Sequence, residues 1–205
     1  MKILFTRHGE SEANVEQIIS NRNLPHHLTK LGISQAIDLA ETLADCNVKL
    51  IYSSPIPRAQ ETAEIVANKL GLSFSITPAL REFDCGMLEG RGDEEAWAAH
   101  TAVVRAWDED KDYEQRIEPD GESFNDMSAR FVPFVTGLIE ENQYLDGDIL
   151  LISHGGLLHQ MLPLVLSNID RAFTNQHRLG NCDLVITHLQ YRQLFCTDWT
   201  GAKIM

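Results

Sequence analysis

A chain of 205 residues, 43% hydrophobic and 23% charged, has enough material for one sizeable α/β domain and the balance of an ordinary globular protein. Its net charge of −13 disfavours nucleic acid and anionic membrane as general partners, and no apolar run approaches the roughly 20 residues that span a bilayer. The widely spaced Cys46, Cys85, Cys182 and Cys196 contain no Cys-x-x-Cys pair, which fits buried thiols in a reducing compartment better than a disulfide framework or a zinc site.

The first expected element is a short buried strand at Ile3, Leu4 and Phe5, which stops at Arg7-His8-Gly9. Such a strand end carries its last side chains out of the core into a crevice, the usual ligand site of open α/β sheets. Arginine supplies a planar fork of donors, histidine a nucleophilic nitrogen near neutral pH, and Gly9 a sharp turn with room for a ligand. The start carries one positive charge and no signal-peptide pattern, so a cytoplasmic location is expected. A first helix should open after Gly9, with Ser11 or Asn14 near its start. Residues 20–27 are rich in turn formers, and His26 and His27 read as exposed loop histidines because no third ligand stands at metal-ligand spacing.

Thr29 should cap a helix over about 30–43, with Ile33, Ala36, Ile37, Ala40 and Leu43 on its core face. A second strand over 48–53 ends at Ser53-Ser54-Pro55, and a helix over about 57–70 follows, with Ala63, Ile65, Val66 and Leu70 supplying core. Arg58 then falls in the first turn of that helix, where a positive charge is unfavourable; a local conflict of this kind is what a functional site produces. A short strand over 72–77 precedes a loop over 80–90 that carries Glu82, with Asp84 as a nearby competitor for the same role.

Residues 92–122 are strongly acidic, with only Arg105, Lys111 and Arg116 opposing, and Ala96, Trp97, Val103, Val104 and Trp107 mark a helical face. We read this as a lid or crossover insertion within a single domain spanning 1–205. Its acids should form a solvated face, and Trp97 and Trp107 should be helix-packing residues. Phe124, Met127, Phe131, Val135, Leu138 and Ile139 run at helical spacing despite Pro133. A turn at 146–148 leads into Ile149-Leu150-Leu151-Ile152, an uninterrupted apolar run and hence a central strand buried on both faces. Ser153-His154-Gly155-Gly156 repeats the opening logic. A strand ends, a histidine projects, and a helix begins near Leu157 whose first N–H groups can help hold an oxyanion. His159 and His177 read as ordinary helix or loop residues, and strands over about 183–189 and 193–199 make a hairpin around Gln190-Tyr191-Arg192.

Arg7-His8-Gly9, Asn14, Arg58, Glu82 and Ser153-His154-Gly155, in this order and each at the border of an element, resemble the histidine phosphatase superfamily, the phosphoglycerate-mutase-like fold. The resemblance covers nearly the whole chain. Leu28-Thr29 with Gly32 and Gln35-Ala36, and Gly121-Glu122-Ser123, also resemble helix entries of that family. It implies a three-layer α/β/α sandwich with a mostly parallel central sheet. It also implies that His8 takes up a phosphoryl group as phosphohistidine. Arg7, Arg58 and a protonated His154 would clamp that group, with Asn14 as an extra donor, and Glu82 would protonate the leaving oxygen and later activate water.

The function so implied is a metal-independent phosphomonoesterase without a cofactor, acting on a small phosphorylated metabolite. Asn21 and Arg22 are candidate substrate-loop contacts, and His177, Arg178 and the 92–122 insertion are further candidates for specificity. Two alternatives stay open: phosphoglycerate-mutase-type transfer, and a catalytically silent phosphate-binding module. The stretch 83–90 lacks the basic, tyrosine-containing segment of the glycolytic mutases, which favours hydrolysis, and the intact residue set argues against a silent module. A homo-oligomer is left open.

Overall fold

The computed structural model describes residues 1–22 and 24–204; Asn23, in the loop rich in turn formers, and Met205 lie outside the described residues. Strands β1 (Ile3–Arg7), β2 (Val48–Ser53), β3 (Ser75–Ile76), β4 (Asp148–Ser153), β5 (Leu184–Gln190), β6 (Gln193–Trp199) and β7 (Ala202–Lys203) form one sheet in the order β3-β2-β4-β1-β5-β6-β7. The first four in that order are mutually parallel, and β5, β6 and β7 extend the sheet antiparallel. Every residue of β4 is buried, as its unbroken apolar run requires of a central strand.

Alternation along the strands divides the core in two. Leu4, Ile51, Leu150 and Ile152 pack against α2 (Lys30–Ala44) and α3 (Pro57–Leu70), which follow the short α1 (Glu12–Glu16). Ile3, Phe5, Ile149 and Leu151 pack on the other side against α4 (Glu94–Arg105), α5 (Phe124–Glu141) and α6 (Gly155–Val165). The result is the expected three-layer α/β/α sandwich around a mostly parallel sheet core. The two-residue turn Tyr191-Arg192 joins β5 and β6 with φ of 50° and 66°, the left-handed pair of a type I′ hairpin. Among the described residues no helix is long and apolar enough to cross a membrane.

Four expectations need correction. The buried face of α2 is Gly32, Ala36, Leu39, Ala40 and Leu43, whereas Ile33 and Ile37 are 43% and 46% exposed. Gly32 is the cause: it lies on the backbone of the loop after β1, where a Cβ would stand 1.9 Å from the Glu10 carbonyl oxygen. A residue without a side chain adds nothing to a hydrophobic pattern, so the pattern points to the wrong side. On α3, Leu70 packs against the core edge, but Ile65 is half-buried outside it, and Ala59 and Ala67 fill the core instead. The strand expected over 72–77 shortens to Ser75–Ile76, an exposed edge paired only with Tyr52 and Ser53. The short elements α7 (Arg171–Gln176) and β7 carry no strong pattern and were not anticipated.

The family-like helix entry before α2 clamps the loop that follows β1. The Thr29 hydroxyl donates to Glu10 Oε1 at 2.7 Å, Thr29 N donates to the Glu10 carbonyl at 3.0 Å, and Glu10 N donates to Gln35 Oε1 at 2.8 Å. Gly32→Ala is therefore expected to lose about 3 kcal/mol or more of stability, since backbone on both sides prevents relief. A urea unfolding midpoint equal to that of the parent would contradict this.

Candidate active site

Parallel pairing of β1 with β4 puts Arg7 opposite Ser153, so the residues just beyond, His8 and His154, emerge side by side at the carboxyl ends of two central strands. His8 N donates to the Ser153 carbonyl at 3.0 Å, and the two imidazole centroids are 5.0 Å apart. Arg58, in the first turn of α3, is 4% exposed and reaches both rings. Its Nε donates to His8 Nε2 at 2.9 Å and its Nη2 to His154 Nδ1 at 3.2 Å, while Nη1 donates to the Ser20 carbonyl at 2.5 Å. The unfavourable helix position is thus offset by a full set of acceptors.

These bonds define the protons. His8 Nδ1 donates to the Gly9 carbonyl at 2.6 Å, which leaves Nε2 with its lone pair turned to the Arg58 Nε–H. Burial, then Arg58 and Arg7, hold His8 well below the ordinary histidine range, so the ring is neutral. His154 is neutral too, held down by burial first and Arg58 next. Its Nε2 donates to Ser54 Oγ at 2.7 Å and its Nδ1 accepts from Arg58. The expectation of a protonated His154 clamping the phosphoryl group therefore departs from this arrangement. Both ring nitrogens are engaged, the residue is fully buried, and it does not line the cleft.

Arg7 and Glu82 complete the group. Arg7 Nη1 donates to the Leu179 carbonyl at 2.9 Å, and its buried Nε makes no hydrogen bond among the described residues. Glu82 is 8% exposed and accepts from Phe83 N at 3.1 Å and Gly156 N at 2.7 Å. Burial raises its pKa above the ordinary glutamate value, with those two N–H bonds opposing. Gly156 N, expected as an oxyanion donor, thus holds the carboxyl. A Cβ at Gly156 would stand 2.7 Å from both carboxyl oxygens, so only glycine permits this approach. Asp84 faces elsewhere, accepting from Arg22 Nε at 2.9 and 3.0 Å and from Gly86 N at 2.8 Å.

Of the remaining candidates, Asn14 lines the cleft, but its Oδ1 accepts from Ser11 N at 3.1 Å and from Asn181 Nδ2 at 3.4 Å as part of a helix cap. Asn21 also lines the cleft and is buried, with Oδ1 3.5 Å from Arg58 Nη2 and Nδ2 donating to Cys85 Sγ at 3.3 Å. Arg22 does not line it; the guanidinium is exposed and held by Asp84. Sequence reasoning missed the support for the Glu82 loop. Arg130 forks onto Glu122 at 2.8 and 3.0 Å, and Glu122 accepts from Asp84 N at 3.0 Å. The Gly-Glu-Ser entry is visible in the sequence, but its arginine partner lies eight residues, about two helix turns, beyond Glu122.

The cleft above this group has a volume of about 390 Å³. Trp107 is core, as expected, and Trp97 packs against the same core while also lining the cleft. His159, expected as an ordinary helix or loop residue, lies in α6, is buried and also lines the cleft. Arg178 lines the cleft as well, whereas His177 stacks on Phe173 at 4.1 Å outside it. Nor is the acidic run wholly solvated, since the half-buried Asp108 accepts from Arg171, whose Nη1 donates to the His159 carbonyl at 2.8 Å. His26 bonds Ser20 Oγ at 2.8 Å and is half-buried, while His27 is exposed and pairs with Glu61. Among the described residues, no three His, Cys, Asp or Glu side chains gather as metal ligands.

Comparison with known proteins gives consistent matches. The sequence model described as "Histidine phosphatase superfamily (branch 1)" matches residues 3–201. Adenosylcobalamin/alpha-ribazole phosphatase of Escherichia coli K12 is 32% identical over 166 residues, covering 81% of this chain and 79% of that protein. The probable phosphoglycerate mutase GpmB of Salmonella arizonae is 29% identical over 97% of this chain and 90% of its own. Among solved structures, mycobacterial glucosyl-3-phosphoglycerate phosphatase in complex with VO3 superposes with a TM-score of 0.82 at 27% identity, covering 98% of this chain and 99% of that one.

Proposed function

The chain belongs to the histidine phosphatase superfamily, and on that footing we propose that it is a cytoplasmic, metal-independent phosphomonoesterase that hydrolyses a small phosphorylated metabolite through a phosphohistidine on His8. The observation that carries this reading is the His8 tautomer: Nδ1–H is spent on the Gly9 carbonyl, and the Nε2 lone pair faces a buried guanidinium in the cleft. Four free cysteines support the reducing location.

In the first half-reaction Arg58 and Arg7 turn their N–H groups to the phosphoryl oxygens and neutralise charge that would repel a nucleophile. His8 Nε2 then forms the N–P bond as the bond from phosphorus to the ester oxygen breaks. The proton of Glu82 passes to that oxygen and the alcohol leaves. In the second half-reaction the Glu82 carboxylate takes a proton from water, the water oxygen bonds phosphorus, and the N–P electron pair returns to Nε2. Inorganic phosphate leaves and Glu82 is again protonated. His154 acts through Arg58, which it fixes from behind. Arginines in this role do what a metal pair does elsewhere. Helix α4 and the rest of 92–122 form a lid on the same domain.

Steady phosphate release from p-nitrophenyl phosphate, undiminished by EDTA, is the direct test; full loss in EDTA with recovery on adding magnesium would overturn the metal-free mechanism. Glu82→Gln is expected to slow alkyl esters by about 10²- to 10⁴-fold and p-nitrophenyl phosphate much less, because nitrophenolate leaves without a proton. The carboxyl must be protonated at attack. kcat/KM should therefore fall as pH rises through its raised pKa, and that alkaline limb should vanish in the variant. Equal slowing of both ester types would remove Glu82 from the acid role. Mutase-type transfer is favoured by the relatives named probable phosphoglycerate mutase GpmB, and a coupled assay with 2,3-bisphosphoglycerate separates it.

A further inference from the structure

Arg58 finds two of its acceptors on a segment that belongs to neither the sheet nor a helix. The Ser20 carbonyl takes Nη1, and Asn21 Oδ1 lies 3.5 Å from Nη2. Such a segment holds a guanidinium still only when it is held itself. Ile19 is secured by backbone: its N–H donates to the Arg91 carbonyl at 2.8 Å, and Gly90 N donates to the Ile19 carbonyl at 2.8 Å. Among the described residues that backbone pairing goes no further, and one side chain takes over. Glu89 Oε2 accepts from Asn21 N at 2.7 Å and from Arg22 N at 3.2 Å, while Oε1 accepts from Cys85 N at 3.0 Å.

Each carboxylate oxygen thus grips a different piece of chain. Glu89 stands behind the cleft wall without lining the cleft. It joins the segment of Ser20 and Asn21 to the loop that carries Glu82. The Arg22 guanidinium turns to Asp84 instead, so backbone N–H groups rather than an ion pair hold this carboxylate. Asn21 Nδ2 on Cys85 Sγ at 3.3 Å is a weaker link between the same two pieces. The charge of Glu89 is felt at the guanidinium as well. Burial lowers the Arg58 pKa to about 10, and Glu82 and then Glu89 oppose that loss.

We propose that Glu89 is a positioning residue for the phosphoryl-binding guanidinium: by tying Asn21 and Arg22 to Cys85, it fixes the Ser20 carbonyl and Asn21 Oδ1 against Arg58. This rests on the reading of Arg58 as the group that receives the phosphoryl oxygens. Orthovanadate, an oxoanion that takes up the five-coordinate geometry of phosphoryl transfer, is the probe. Calorimetry gives its Kd without any ester being turned over. Glu89→Ala loses all three bonds, whereas Glu89→Gln keeps one acceptor oxygen and opposes an N–H with its own amide N–H on the other side. Both variants lose the charge, so the gap between them reads the bonds. The Kd should rise about 10²-fold in Glu89→Ala and about 10-fold in Glu89→Gln, with kcat for p-nitrophenyl phosphate falling in parallel and KM changing less. In an Arg58→Ala background, Glu89→Ala should lower the residual kcat/KM by less than about 3-fold, because its effect passes through that guanidinium.

A Kd in Glu89→Ala within about 2-fold of the parent, equal effects of the two variants, or full additivity with Arg58→Ala would overturn the proposal. A merely structural contribution would lower the thermal midpoint and the folded fraction, and leave the Kd of the folded molecules unchanged. Should neither variant fold, hydrogen exchange on the parent decides. The Asn21 and Cys85 amides, bonded to the same carboxylate, should slow together when orthovanadate is added, and unchanged exchange at either one overturns the proposal. If the parent hydrolyses no ester, p-nitrophenyl phosphate included, the phosphatase reading fails, and the Kd and exchange measurements still decide the role of Glu89. A parent that does not bind orthovanadate overturns that role too.

Discussion

His8→Ala is expected to abolish turnover, with a loss on the order of 10⁴-fold or more, because His8 Nε2 is the imidazole nitrogen held against the Arg58 guanidinium. His8 stands at the end of β1 with its backbone bonded to Ser153 and its ring oriented by Gly9. Alanine leaves the backbone bond in place, so circular dichroism and the thermal midpoint should stay near those of the parent. The intermediate gives a second readout. Rapid acid-free quenching during turnover should trap an acid-labile, alkali-stable phosphoryl group on the parent and none on the variant, with the site located by mass spectrometry of the peptide carrying residue 8. A variant that kept turnover within about 10-fold, or a trapped phosphoryl group elsewhere, would remove His8 from the nucleophile position.

Arg58→Ala should be nearly as damaging, with a loss of about 10³-fold or more. One guanidinium serves His8, His154, the Ser20 carbonyl and Asn21, and in the proposed mechanism it receives the phosphoryl oxygens. It also sets the protonation of the nucleophile. Burial is the largest influence on His8, and Arg58 is the next, both pushing the pKa down. In the proposed mechanism neutral His8 is the reactive form, so activity should be lost as pH falls through its pKa. Without Arg58 that pKa rises, and the acid limb of residual kcat/KM should move to higher pH. Arg58→Lys keeps a charge but not the fork that reaches these acceptors together, so it should hold the acid limb closer to the parent while recovering little rate. An acid limb that does not move in Arg58→Ala would show that the guanidinium does not govern the imidazole.

The expected elements and the found ones differ for physical reasons that recur. β4 and α5 were legible because long apolar runs and sustained helical spacing mark burial directly. α2 was legible as a helix but its buried face was misplaced, since Gly32 makes the closest contact and has no side chain to mark it. Trp97 reads as helix packing and His159 as an ordinary helix or loop residue because a pattern records that a face is buried and not that a cleft also runs along it. Arg22 was assigned to substrate, but its partner Asp84 lies 62 residues further along the chain, a pairing that no local pattern contains.

From the sequence came the α/β class and the central strands, because strand ends and helix starts are encoded locally, and, through the resemblance to the histidine phosphatase superfamily, the grouping of Arg7, His8, Arg58, Glu82 and His154. Only the folded chain decided which nitrogen of each histidine carries a proton, that His154 backs Arg58 from behind the cleft wall, and that Gly156 holds Glu82. Those depend on ångström-scale distances between segments 50 or more residues apart, set when β1 and β4 pair and α3 and α6 pack beside them.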